Sequence, residues 1–191
     1  MNKKSSILDY DLVLNKGFNL LKDDKKCVFV FFLIFSVSTG IKISQSLIIK
    51  HKDLEADHIC IKENSKIRKI TLNNIVKKGY LKLTKKLAQT NFDYTKDDFV
   101  FLSQKETVYR PQSINLLLKQ VFSCYAKTQN ISSTSLIKAF GRKIWEEMNR
   151  SEQAISLLSK EFSQNSVTMT RSFLEIPKTD SNINLYKILE K

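Results

Sequence analysis

Histidine, glycine and proline are scarce in this 191-residue chain, which has two, four and two of them. So little glycine and proline leaves few tight turns, which excludes a many-stranded β-fold and favours long helices. The three cysteines, Cys27, Cys60 and Cys124, are far apart, with no C-x-x-C and no paired histidine. That spacing excludes a disulfide framework and a thiolate zinc site, and reads as reduced thiols in a cytoplasmic protein. His51 and His58 have no thiol or carboxylate cluster at ligand spacing, so neither a metal nor a cofactor is expected. There is no glycine-rich phosphate loop, no H-E-x-x-H and no readable Ser/His/Asp order. The one long apolar run, CVFVFFLIFSV from Cys27 to Val37, has 11 residues. It is too short to span a bilayer as a helix and follows a charged segment, which is wrong for a signal peptide. The run reads as a buried core helix, and no membrane is expected.

What is present suffices for a core: 42% of residues are hydrophobic and 10% aromatic. The length fits one domain, or one domain with a short extension. The net charge is +13, from 32 Lys and Arg against 19 Asp and Glu. Such an excess speaks about partners: it suits nucleic acid or an anionic membrane surface, with nucleic acid favoured over an ordinary solvated, lysine-rich surface. The charge is also concentrated. Residues 62–86 carry nine basic side chains and one acidic, whereas residues 151–191 carry five of each. A stripe makes a better phosphate footprint than a diffuse excess.

Periodicity predicts a polar, frayed segment over residues 1–10 and a short amphipathic helix over 10–21. The buried helix follows at 27–37 and is broken by Ser38-Thr39-Gly40. A restarted helix over 41–50 would turn Ile41, Ile43, Leu47 and Ile48 inward. Residues 58–72 read as a hairpin with its turn at Glu63-Asn64-Ser65 and with Ile67, Ile70 and Leu72 inward. A helix is expected at about 74–90, then a loop with an apolar stop at Phe99–Leu102. Next come a helix over 110–130 opened by Pro111, a long one over 131–149 behind a cap cluster, and one over 151–162 capped by Ser151. A short helix in VTMTRSFLEI and a final one over 182–190 complete the chain. The fold class is α+β and mainly α, with one small antiparallel β-element placed early.

Four segments then stand out in order. The first is Thr39-Gly40-Ile41-Lys42-Ile43-Ser44-Gln45. A basic hairpin follows. The third is Thr134-Ser135-Leu136-Ile137-Lys138-Ala139-Phe140-Gly141, with Trp145 and Glu146 behind it. The fourth runs from Glu161 through Phe162, Ser163, Gln164, Asn165 and Ser166 to Thr170-Arg171-Ser172-Phe173-Leu174-Glu175-Ile176. This series resembles the catalytic domain of the tyrosine recombinases (phage integrase family), in the form found in mobile-element integrases. The family patterns are T-G-L-R-I-S-E/D, H-S-L/F-R-K-T-F-G, and L-F-N-H-S-S followed by T-x-x-Y-L-G-I. The resemblance covers roughly residues 25–190.

The resemblance implies an integrase-type catalytic domain of packed helices with a small antiparallel sheet over 25–191, preceded by an extension over 1–24. It also implies that the family's usual N-terminal DNA-wrapping domain has no room here. In the family, an Arg-His-Arg-His set and a hairpin lysine hold the scissile phosphate, and a tyrosine attacks it. Here the first arginine position carries Lys42, the first histidine Thr134, the second arginine Ile137, the later histidine Gln164 and the tyrosine Phe173. The hairpin lysine falls at Glu63, or at Lys62 or Lys66 if the turn register differs.

Each departure removes chemistry. Phe173 has no oxygen to form a phosphotyrosine. Ile137 deletes a bidentate clamp on phosphate charge, and Lys42 keeps the charge but not the planar fork. Thr134 and Gln164 donate hydrogen bonds but shuttle no proton near neutrality. Neighbours do not substitute: Ser172 next to Phe173, and Lys138 next to Ile137, point about 100° away on a helix. Tyr186 lies too far along the chain. The expectation is double-stranded DNA binding without cleavage, by Lys42, Lys62, Lys66, Arg68, Lys69, Lys138, Arg142 and Lys143. The role would be that of an architectural or regulatory pseudo-recombinase. Two alternatives stand beside it. One is an interaction subunit docking on an active recombinase, or on its own kind, through 182–190. The other is a fragment of a decayed integrase.

Overall fold

A computed structural model describes residues 4–23, 26–63, 66–90 and 92–177, with side chains omitted at 23, 63 and 66. The chain divides into two units, residues 1–144 and 145–191. The elements run α1 (Tyr10–Asp23), α2 (Cys27–Thr39), α3 (Ile43–Ser46), α4 (His51–Glu55), β1 (His58–Glu63), β2 (Lys66–Thr71) and α5 (Asn74–Gln89). They continue α6 (Pro111–Val121), α7 (Ser123–Ala126), α8 (Ser133–Glu147), α9 (Glu152–Glu161) and α10 (Val167–Leu174). The expected class holds: helices with, among the described residues, one two-stranded antiparallel sheet. No helix among the described residues is long and apolar enough to cross a membrane. The helix expected over 182–190 lies outside the described residues.

The first unit is built around α2, in which every residue except Val28 is buried. A helix that is apolar all round must be covered all round. α1 and α5 cover it through two glycines: a Cβ on Gly17 would come within 2.8 Å of Ile34, and one on Gly79 within 3.2 Å of Ile34 and Phe31. Phe101, in the apolar stop, is buried against α2 and stacks on Phe31 at 5.8 Å between ring centroids. It meets the Phe32 ring edge-on at 5.5 Å.

Three local expectations change. The segment after Gly40 makes only one turn, α3, and then extends. Val100 N–H donates to Ile49 O, and Lys50 bridges Phe99. Leu47 and Ile48 form the turn that ends α3, with Leu47 at φ −68° and ψ −15° and Ile49 N–H donating to Ser46 O; Leu47 and Ile49 are buried and Ile48 is exposed. The helix opened by Pro111 stops at Phe122, whose φ of −106° and ψ of 37° separate α6 from α7. Phe122 is fully buried and anchors that break. Residues 4–9 are not frayed. Ser6 N–H donates to Asn130 O, the Ser5 and Ser132 hydroxyls lie 2.7 Å apart, and Leu8 is buried.

His51, at the start of α4, sits in an aromatic cage. Its ring stacks on Tyr94 at 3.9 Å, and its Nδ1 lies 2.9 Å from the Tyr80 hydroxyl. Burial lowers its pKa to about 4, although Asp98 and Glu55 oppose the shift. Burial likewise pushes the Tyr80 phenol up. The unfolded chain therefore takes up a proton at pH values where the folded chain refuses it. Stability is full above pH 6.5 and is lost as pH falls toward 4. Urea unfolding should show about 2 kcal/mol less stability at pH 5 than at pH 7 from this residue alone, and His51→Gln should remove that difference.

Candidate nucleic-acid interface

The hairpin register decides which cations face out. Cys60 pairs with Lys69 and Lys62 with Ile67, while Ile59 pairs with Ile70 and Ile61 with Arg68. Directly opposed residues share a face. Ile59 and Ile61 are buried, so their face is the inner one. Lys62 and Lys69 are therefore exposed on the outer face together with Cys60, and Arg68 lies on the inner face, half-buried. Ile67, expected inward, is 74% exposed. Strand alternation places it beside Lys69, whatever its hydrophobicity. Glu63 pairs with Lys66 as the last rung, so Glu63 belongs to the strand and not to the turn.

The first segment ends α2. Gly40 adopts φ 65°, a left-handed C-cap whose N–H donates to Ser36 O. Its Cα faces the Phe140 ring of α8 so closely that no Cβ fits. The segment carrying Lys42 and the helix carrying Thr134 and Ile137 are thus joined at this point. Lys42 is exposed at the N-cap of α3. Asn73, which caps α5 by accepting from Val76 N–H, also donates to Ser38 O and ties the end of the hairpin to the same corner.

α8 starts in a serine cluster. Thr134 N–H donates to Ser132 Oγ, Ser132 N–H to Ser135 Oγ, and Ser133 N–H to Asn115 Oδ1. Thr134 and Ile137, one turn apart and both half-buried, share a face. Lys138 does not join a DNA-facing set. It is 1% exposed, and its ammonium donates to Ser5 O. A buried lysine needs such acceptors, and the ordered N-terminal segment brings one. Arg142 is half-buried, and Lys143 is held by Asp11 at 3.0 Å and lies over the Tyr10 ring.

The second unit holds the fourth segment. Ser151 caps α9 and Ser166 caps α10 by accepting from Ala154 and Met169 N–H. Thr170 is fully buried, and its hydroxyl donates to Gln164 Oε1 at 2.7 Å. That bond engages the amide oxygen and leaves the NH₂ of Gln164 as a donor. Phe173, one turn after Thr170, meets the Phe162 ring edge-on at 5.7 Å. Arg171 pairs with Glu152 and donates to Pro177 O. No group of metal-ligating side chains occurs among the described residues.

No family model and no curated protein matches the sequence. Solved structures share the fold. XerH site-specific recombinase, bound to its palindromic difH substrate in a post-cleavage complex, aligns with a TM-score of 0.69 at 18% identity, over 93% of this chain and 51% of its own. XerA recombinase aligns at 0.66 and 14% identity, over 93% of this chain and 63% of its own. The Tn1549 transposon integrase, in complex with transposon right end DNA, aligns at 0.63 and 15% identity, over 88% and 61%. The chain thus spans between 51% and 63% of the length of these recombinases.

Proposed function

We propose that this chain is a duplex-DNA-binding member of the tyrosine recombinase family, of the mobile-element type, that holds DNA without cutting it. Residues 25–191 would form its recombinase-like domain, with 1–24 as an extension. Its role would be architectural, or regulatory by occupying the site of an active recombinase. One combination carries the reading: a fold shared with the Tn1549 transposon integrase in complex with transposon right end DNA, and a packed phenyl ring, Phe173, where the family motif has its tyrosine. The cations assigned to DNA are Lys42, Lys62, Lys66, Lys69, Arg142 and Lys143; Arg68 is dropped because it turns to the inner face of the hairpin. Lys138 is dropped because its ammonium is buried on Ser5 O. Lysines dominate the set, so the contacts would be mostly to phosphate, with little base readout.

The test is a mobility shift across a salt series. With about four phosphates neutralised, affinity should fall about 100-fold between about 50 and 200 mM salt, because each contact releases counterions. Binding that is indifferent to salt would overturn the reading.

A further inference from the structure

The basic stripe at 62–86 is larger than the hairpin. Five of its nine cations lie on α5, and the recombinase motifs assign none of them. α5 carries no acidic residue. Lys77 is paired with Asp57 at 2.6 Å. Lys78, Lys82, Lys85 and Lys86 have no ion pair with any described carboxylate. Lys78, Leu81, Lys82 and Lys85 recur at i, i+3, i+4 and i+7 and so form one outward face. Lys78 and Lys82 lie over the Phe18 ring of α1 at 5.9 and 5.2 Å, and Lys86 reaches across to Lys22 O at 2.6 Å. The ammonium groups are thus gathered onto one surface of α1 and α5. The pairs Lys78–Lys82 and Lys82–Lys86 repel at i, i+4, a spacing at which like charges destabilise a helix.

We propose that this lysine face of α5 and α1 is a second contact surface for the phosphate backbone of duplex DNA, separate from the outer face of the hairpin. The proposal rests on the DNA-binding reading above. A polyanion relieves the repulsion along α5, and point-like ammonium groups suit phosphates read without sequence. Lys78 and Lys85 are about 10 Å apart along the helix axis, a span that covers about three successive phosphates of one strand. Leu81 is the one large apolar side chain exposed on α5. A membrane-lying helix needs a broad apolar face, so lipid is the weaker fit. α5 also follows β2 directly, and its Lys77–Asp57 pair fastens it at the foot of the hairpin.

The experiment measures the slope of log affinity against log salt for a short duplex. It compares wild type, Lys78→Gln/Lys82→Gln/Lys85→Gln, and Lys62→Gln/Lys69→Gln, with circular dichroism confirming that each is folded. The α5 variant should flatten the slope by about 2 to 3, the hairpin variant by about 2, and the combination by the sum. An unchanged slope in the α5 variant, beside a flattened one in the hairpin variant, overturns this proposal and leaves the DNA reading standing. A wild type that binds no duplex overturns both. Wild-type binding to phosphatidylserine vesicles that the α5 variant loses, with its DNA slope intact, assigns the face to lipid and overturns the proposal.

Discussion

Phe173→Tyr should leave nicked duplex DNA without a covalent protein adduct, although it adds a phenol oxygen at that position. A nucleophile is only one part of phosphoryl transfer. The developing charge needs preorganised donors, and losing one such donor costs about 10²–10³ in rate. Ile137 offers none. Proton transfer by a positioned side chain contributes about 10²–10⁴ more, and neither Thr134 nor Gln164 titrates near neutrality. The tyrosine variant should therefore remain at least about 10⁴-fold short of a complete site. The readout is a denaturing gel of protein incubated with a nicked suicide duplex. An adduct from Phe173→Tyr alone would show that other side chains supply the clamp, and the proposed loss of cleavage would fail. Local packing adds a second expectation. Gln164→His removes the oxygen that accepts from the buried Thr170 hydroxyl, so a histidine there should also loosen the start of α10.

The parts of this fold that were legible in the sequence are those fixed by local chemistry. Ser151 caps α9 because a hydroxyl there satisfies an orphan N–H group, and Pro111 opens α6 because its missing N–H costs nothing at that position. α2 is visible as an apolar run because a fully enclosed helix needs no polar face. What was hidden depends on neighbours distant in sequence. Ile48 and Ile67 are apolar yet exposed, Ile48 because it sits in the turn after α3 and Ile67 because strand alternation sets its direction. Lys138 looks like a surface cation until residues 4–9 are seen to supply its acceptor. The order of the motif segments announced the fold, but it could not reveal the Gly40–Phe140 contact, which joins two of those segments. The α5 lysines have no motif at all. Their signal is periodic: basic residues at i, i+4 and i+7 on a helix without a carboxylate.

That contact sets the second large expectation. Gly40→Ala should destabilise the first unit by about 2–5 kcal/mol, a large part of the roughly 5–15 kcal/mol that holds a typical domain folded. Two causes add. A residue with a Cβ at φ 65° costs about 1–2 kcal/mol. The new methyl must also displace the Phe140 ring or move α2 from α8, and overpacking of that kind costs about 1–3 kcal/mol. A double-mutant cycle separates them. Phe140→Ala removes the ring and destabilises on its own account. In that background the steric part of Gly40→Ala vanishes, and only the backbone part of about 1–2 kcal/mol should remain. Urea midpoints of the four proteins give the coupling directly. Additive costs would mean that the ring yields freely, and the corner between the Lys42 segment and α8 would then not be held by close packing.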